Sequence, residues 1–194
     1  AAAGAEWVQL DEPALVSESL DVDPQAVREA ARAAYAVLGA DRPLGILVAA
    51  PYGSLGDALQ VLEAAPIDAI ALDLVKGDVP IGAKSDKVLV GGVIDGHNIW
   101  RADLDAKLAI LERLENLGAA AVTVGTSTSL FHVPHTTEDE PNLDATLKSW
   151  LAFADQKVRE VVVLAEGLTE GREAIHEQLL EATDAVNSRK TAPG

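Results

Sequence analysis

The stretch LGILVAAPYG, residues 44–53, decides how this chain is read. Leu44 through Ala50 are apolar without interruption, and Pro51, Tyr52 and Gly53 then end the run in a turn. A strand with one wet face alternates apolar and polar residues. A continuous apolar run bounded by turn residues instead marks a strand covered on both faces, as in parallel sheets. The stretch holds no Cys and no His, and the Tyr52 hydroxyl is its one polar side-chain group.

Four other runs read the same way: Trp7–Leu10, Ala69–Leu74, Val88–Val93 and Ala120–Val124. Amphipathic segments lie between them. Asp23 and Pro24 supply an N-cap and a proline at the first helical position, and Gly39 stops that helix. Ser54 is expected to cap a second helix over Leu55–Ala65. Asp103 opens a third, Leu104–Leu117, closed by Gly118. Strand–helix alternation predicts an α/β fold with a parallel sheet and right-handed crossovers. The crossover Val75–Lys87, VKGDVPIGAKSDK, carries two Gly and a Pro and is a poor helix, so a loop or single turn is expected there. After the last strand, TTEDEPN (136–142) reads as an acidic linker, followed by two helices, about Leu143–Glu166 and Thr169–Ser188. The 194 residues are expected to form a single domain.

Hydrophobic residues make up 48% of the chain, enough for a sizeable core. A formal net charge of -16 argues against nucleic acid as a partner, because phosphate binding requires clustered Lys and Arg. No apolar run is long enough to cross a bilayer, and no basic n-region followed by an apolar h-region opens the chain, so a secretory signal is expected to be absent or already removed, and no membrane partner and a cytoplasmic location are expected. Zero Cys excludes disulfides, thiolate nucleophiles and sulfur-based zinc sites within these residues. With no Met and Ala1 first, the sequence is expected to be a fragment, a processed chain or an engineered sequence.

In parallel α/β proteins the C-terminal ends of strands carry the site. Those ends supply Asp11, Glu12, Asp73 and Asp95, which converge on one rim if the strands are neighbours. Paired carboxylates there act as acid and base or hold a hard cation. Alternatively, they cap loops and helices, or pair with Arg101 and Lys76. His97 and Asn98 share the Asp95 turn, DGHN, where Gly96 is expected to permit tight turning, positive φ being one conformation open to it. His132, His135 and His97 with Asp95 offer a nitrogen/oxygen metal site. Pro134 denies the first two a shared helical face, and solvent-facing histidines are the alternative. VTVGTSTSL (122–130) offers Gly125, Ser127 and Ser129 as a phosphate cradle, or as a loop whose hydroxyls satisfy its own backbone. Trp100 and Trp150 are expected in the core or an interface.

EWVQLDEPALV (6–16), IALDLVKG (70–77), GVIDGHNIWRADL (92–104), TSTSLFHVP (126–134) and SWLAFADQK (149–157) follow one another in the order seen in cobalamin-independent methionine synthase. The chain resembles the later part of that family's N-terminal barrel, over roughly residues 6–165. The resemblance implies a partial (βα)8 barrel of about five strands, and an enzyme that transfers a methyl group from 5-methyltetrahydropteroyl-polyglutamate to homocysteine in methionine biosynthesis. It implies zinc in the full-length family, held by a C-terminal catalytic barrel, and an N-terminal barrel that helps hold folate. VAAPYG falls where the catalytic barrel would place a His-x-Cys ligand pair, and ALDLV where it would place a ligand Glu. Neither matches, so no metal ligand and no catalytic residue are assigned here, and no cofactor is expected in this chain. The implied partners are the C-terminal barrel and the missing N-terminal strands, with a homo-oligomer as another way to complete five strands. A stand-alone small-ligand or cation-binding module using Asp11, Asp95 and His97, and an assembly protein derived from a half-barrel, are the competing expectations.

Overall fold

The computed structural model describes residues 2–81 and 85–192. Five strands form one parallel sheet in the sequential order β1-β2-β3-β4-β5: β1 Trp7–Asp11, β2 Gly45–Ala50, β3 Ala69–Asp73, β4 Val88–Ile94 and β5 Ala121–Thr126. The class is α/β. Sequential order with β1 and β5 at the two edges is the arrangement of a barrel wall left open, and the sheet does not close on itself.

The helices form where local chemistry dictates. In α1 (Pro24–Leu38) the Asp23 carboxylate accepts from the Gln25 N–H, and Gly39 follows the last turn. In α3 (Leu104–Glu115) the Asp103 carboxylate accepts from the Ala106 N–H, and Gly118 takes φ +75 just beyond the end. Leu104, Leu108, Leu111 and Leu114 put one stripe of α3 into the core. Gly91 of β4 admits that stripe, since a Cβ there would stand 2.4 Å from Leu111 Cδ2. The second helix, α2, is shorter than expected, Ala58–Ala64, and begins after Asp57 rather than at Ser54. A turn through Gly56, at φ +48, delays it. The described residues of the 75–87 crossover form no helix, as expected. A cavity of about 710 Å³ lies alongside, between α2 and α3, with Leu59, Glu63, Leu72 and Arg113 in its wall.

The C-terminal part departs from the sequence reading. The helix expected over 143–166 is two helices, α4 Ala145–Trp150 and α5 Ala154–Glu170. Between them the chain turns extended at Leu151 and bridges Trp100, with Arg101 N–H donating to Trp150 O and Ala152 N–H to Ile99 O. Alpha-helix resumes not at Thr169 but at α6, His176–Thr191, because Gly171 at φ 89 breaks α5 and a short 3-10 turn intervenes. Residues 136–142 are not a free linker. Thr136 and Thr137 are buried, and Gln156 of α5 donates to Thr136 Oγ1 while accepting from the Thr137 N–H.

Helices pack on one face of the sheet. Register places Val48, Ile70, Leu89 and Val122 in one row on that face, within or against the main core. Val48 is 0% exposed and belongs to the helix-facing core. Leu47, Ala49, Ala71 and Val90 alternate to the opposite face and lie outside that core. The reading of every strand as covered on both faces fails on that opposite face, where Leu47, Ala49, Ala71 and Val90 are only half-buried, and most at the edges. Trp7 is 52% exposed, lying over Gly45, and β5 buries only Val124 fully. A strand with a neighbour on one side only has water on its flank.

Candidate functional site

The C-terminal ends of β1 to β5 do form one edge of the sheet, but their carboxylates are turned to different tasks. Glu12 accepts from the Tyr35 hydroxyl at 2.8 Å, holding α1 against the sheet. Tyr35 is buried, and that burial, reinforced by Glu12, raises its phenol above the ordinary value. Asp11 is exposed and accepts from Gln9.

Asp73 is 3% exposed and fully engaged: one oxygen accepts from the Tyr52 N–H, the other from the N–H groups of Val75 and Lys76, all at 2.9 Å. One carboxylate therefore ties the loop after β2 to the turn after β3. Tyr52 sits at φ 83, a conformation a non-glycine residue adopts only when held there, and the Asp73 bond to its N–H supplies the hold. Lys76 meets Asp73 through its backbone, and Arg101 pairs with Glu181 at 3.0 Å, so neither expected ion pair with the rim forms.

Asp95 closes its own turn, accepting from the His97 N–H at 2.8 Å and from Asn98 Nδ2 at 2.7 Å. His97 is exposed and stacks on Tyr52 with ring centroids 5.6 Å apart. Gly96 is required for close approach rather than for positive φ: a Cβ there would stand 2.3 Å from Thr128 Oγ1 and 2.5 Å from Thr128 O. Gly96→Val is therefore expected to lower stability by about 2 kcal/mol, the scale of overpacking against a rigid backbone. His97→Ala should change it by less than about 0.5 kcal/mol. Paired urea melts read both, and equal effects would refute this assignment.

The possible phosphate cradle is a self-satisfied loop. Gly125 lies inside β5, paired with Gly92, not in a loop after it. Ser127 Oγ accepts from the Gly96 N–H and Ser129 Oγ from the Phe131 N–H. The imidazoles do not converge either. His132 packs edge-on against Phe131, and His135 is solvent-facing beside Asp139 and Asp155. Among the described residues no three His, Asp or Glu side chains group as metal ligands, so this donor set does not fit zinc. Trp100 is 37% exposed rather than core, with the Arg189 guanidinium 4.7 Å above its ring, and Trp150 donates to Ser188 Oγ.

The sequence reading missed Lys157 and Glu160 of α5. Lys157 is 1% exposed, and its amine donates to Asn98 Oδ1 at 3.1 Å and to Trp100 O at 3.3 Å. Burial lowers its pKa, opposed by the charges of Glu160 and Asp95. Glu160 is also buried and accepts from the Ala102 N–H at 2.9 Å; burial raises its pKa, opposed by that bond and by Lys157. The one local signal was their i,i+3 spacing on an otherwise apolar helix face. Together they anchor α5 to the loop of residues 98–102.

The family model described as cobalamin-independent synthase, N-terminal domain, matches residues 1–119. Curated relatives named 5-methyltetrahydropteroyltriglutamate--homocysteine methyltransferase, from Rhodococcus jostii (strain RHA1) and Mycobacterium tuberculosis (strain ATCC 25618 / H37Rv), are each 46% identical over 195 residues. The relative from Mycobacterium leprae (strain TN) is 46% identical over 197 residues. Each alignment covers 98% of this chain and 25% of the relative, so the chain spans about a quarter of the length of the curated relatives it matches. No described helix is long and apolar enough to cross a membrane. The chain belongs to the cobalamin-independent methionine synthase family, through its N-terminal domain.

Proposed function

We propose that these residues form a supporting, non-catalytic part of a folate-binding N-terminal barrel, in an enzyme that transfers a methyl group from 5-methyltetrahydropteroyl-polyglutamate to homocysteine. The observation that carries this reading is the engagement of the strand-end carboxylates. Asp73 and Asp95 accept from the chain's own N–H groups and Glu12 from the Tyr35 hydroxyl. Asp73 and Asp95 each commit both oxygens to their own loops and Glu12 holds α1 through Tyr35, so these carboxylates serve first to fix the rim's shape. The rim is thereby a shaped wall, and the reactive groups belong to the rest of a polypeptide about four times as long, including a zinc-bearing catalytic barrel.

In that setting the second face of the sheet, with Leu47, Ala49, Ala71 and Val90, is completed by further strands of the same polypeptide. Alone, the chain covers that face by pairing with a second copy. The single domain expected from the sequence is thus one segment of a larger barrel.

The isolated 194-residue chain is expected to show no homocysteine methylation with 5-methyltetrahydropteroyltriglutamate as donor, and to retain no stoichiometric zinc after dialysis. Product analysis and elemental analysis check this, and methylation or one zinc per chain would overturn the non-catalytic reading. Light scattering should give a dimer or larger species at micromolar concentration. A sharply melting monomer that binds no hydrophobic dye would overturn the open-barrel completion instead.

A further inference from the structure

Every strand of the sheet except β3 is followed by a helix, whereas the described residues of the β3–β4 crossover form none. The space such a crossover helix would fill is the cavity of about 710 Å³ between α2 and α3. Its floor is Ala50 and Leu72, paired neighbours on β2 and β3, and Leu55 and Leu59 extend it. Buried Leu59 and Leu72 share the wall with exposed Gln60 and Asp78, so the cavity runs from the core to solvent. One end is preformed. A Cβ at Gly77 would stand 2.8 Å from Gly53 O and 2.9 Å from Ser54 Cα, and Asp73 ties the same two loops together. The volume falls within the usual range of small-ligand pockets, about 300–1,000 Å³.

Among the described residues, Glu63, Asp73, Asp78 and Arg113 are the charged groups of the wall. Asp73 is committed to the N–H groups of its loops. Arg113 sits in the last turn of α3, where a cation offsets the negative end of the helix. Glu63 has no such explanation. It lies in the last turn of α2, where a carboxylate is disfavoured, and its Oε1 is buried with no hydrogen-bond partner among the described residues. The residue as a whole is half-buried and lines the cavity, so positive charge placed there lies beside it. Asp78, exposed on the crossover, adds a second carboxylate.

We propose that this cavity binds a small organic cation, an amine or amidine on an apolar body. The body lies against Leu59 and Leu72, and the charged head is drawn by Glu63 and Asp78. An apolar floor under a wall with two uncommitted carboxylates and one guanidinium selects such a molecule over an anion of the same shape. The inference goes beyond the supporting role proposed above and does not depend on it.

Isothermal titration of the whole chain at pH 7 and low salt with 4-phenylbutylamine, 4-phenylbutanol and 4-phenylbutyrate tests it, since the three share one body and differ only in the charge of the head. One saturable site per chain is expected for the amine, with the alcohol weaker and the carboxylate weakest. Amine affinity should fall about tenfold in Glu63→Gln and about threefold in Asp78→Asn, the half-buried carboxylate counting for more than the exposed one. Gln60→Trp, an exposed position that adds bulk to the wall, should weaken the amine and the alcohol alike. Absence of saturation by the amine up to about 10 mM, a weak affinity on the usual scale, would overturn the proposal, as would equal affinity for the three heads. Binding kept in Gln60→Trp but lost in Val90→Ser would place the ligand on the open face of the sheet and overturn it too.

Discussion

Lys157→Ala is expected to destabilise the chain by about 3 kcal/mol in urea unfolding, from the cavity left by its stem and the two acceptors it orphans. The amine is held by Asn98 Oδ1 and Trp100 O, which lie 59 and 57 positions away in sequence, so its loss frees the 98–102 loop from α5. Lys157→Met retains most of the stem and should lose less than half as much, which separates packing from charge. Protonation adds a check of sign. The folded pKa is lowered, so at alkaline pH, between the folded value and 10.5, the unfolded chain holds a proton that the folded chain has released. The contribution of Lys157 to stability therefore rises with pH through that window, and the parent should gain on Lys157→Met there. Glu160, with a raised pKa, runs the other way: its contribution is present below 4.5 and is lost as pH rises through the folded value. A Lys157→Ala variant within about 0.5 kcal/mol of the parent, as for an ordinary surface change, would show that Lys157 does not anchor α5.

Asp73→Ala is expected to cost about 3 kcal/mol, since it leaves three N–H groups without their acceptor and hydrogen bonds to a charged group are the stronger kind. Asp73→Asn should recover only part of this, because an amide presents one acceptor oxygen where the carboxylate presents two. The effect should also be visible at Tyr52, whose φ of 83 depends on the bond to Asp73. Amide hydrogen exchange at Tyr52, Val75 and Lys76 should rise in Asp73→Ala ahead of global unfolding. Unchanged protection at all three would mean that the two loops are held by something else.

How far these features were legible in the sequence depends on the distance over which each is decided. The five apolar runs and the caps at Asp23 and Asp103 were legible, because strand burial patterns and N-cap bonds are set within a few residues. The order of the motifs was legible for the same reason, and with it the family. The sequence by itself thus determined the α/β class, the parallel sheet and the main helices on its covered face. Only the tertiary structure decided what each polar side chain does. Glu12 belongs to Tyr35 and Asn98 to Lys157 because α1 and α5 fold back onto strand ends far away in the chain. The break at Leu151 was invisible locally, because hydrogen bonds to residues 99–101 outweigh the continuation of a short helix. The edge strands were misread as buried because apolar content records what a strand can bury, while a missing neighbour decides what it does bury.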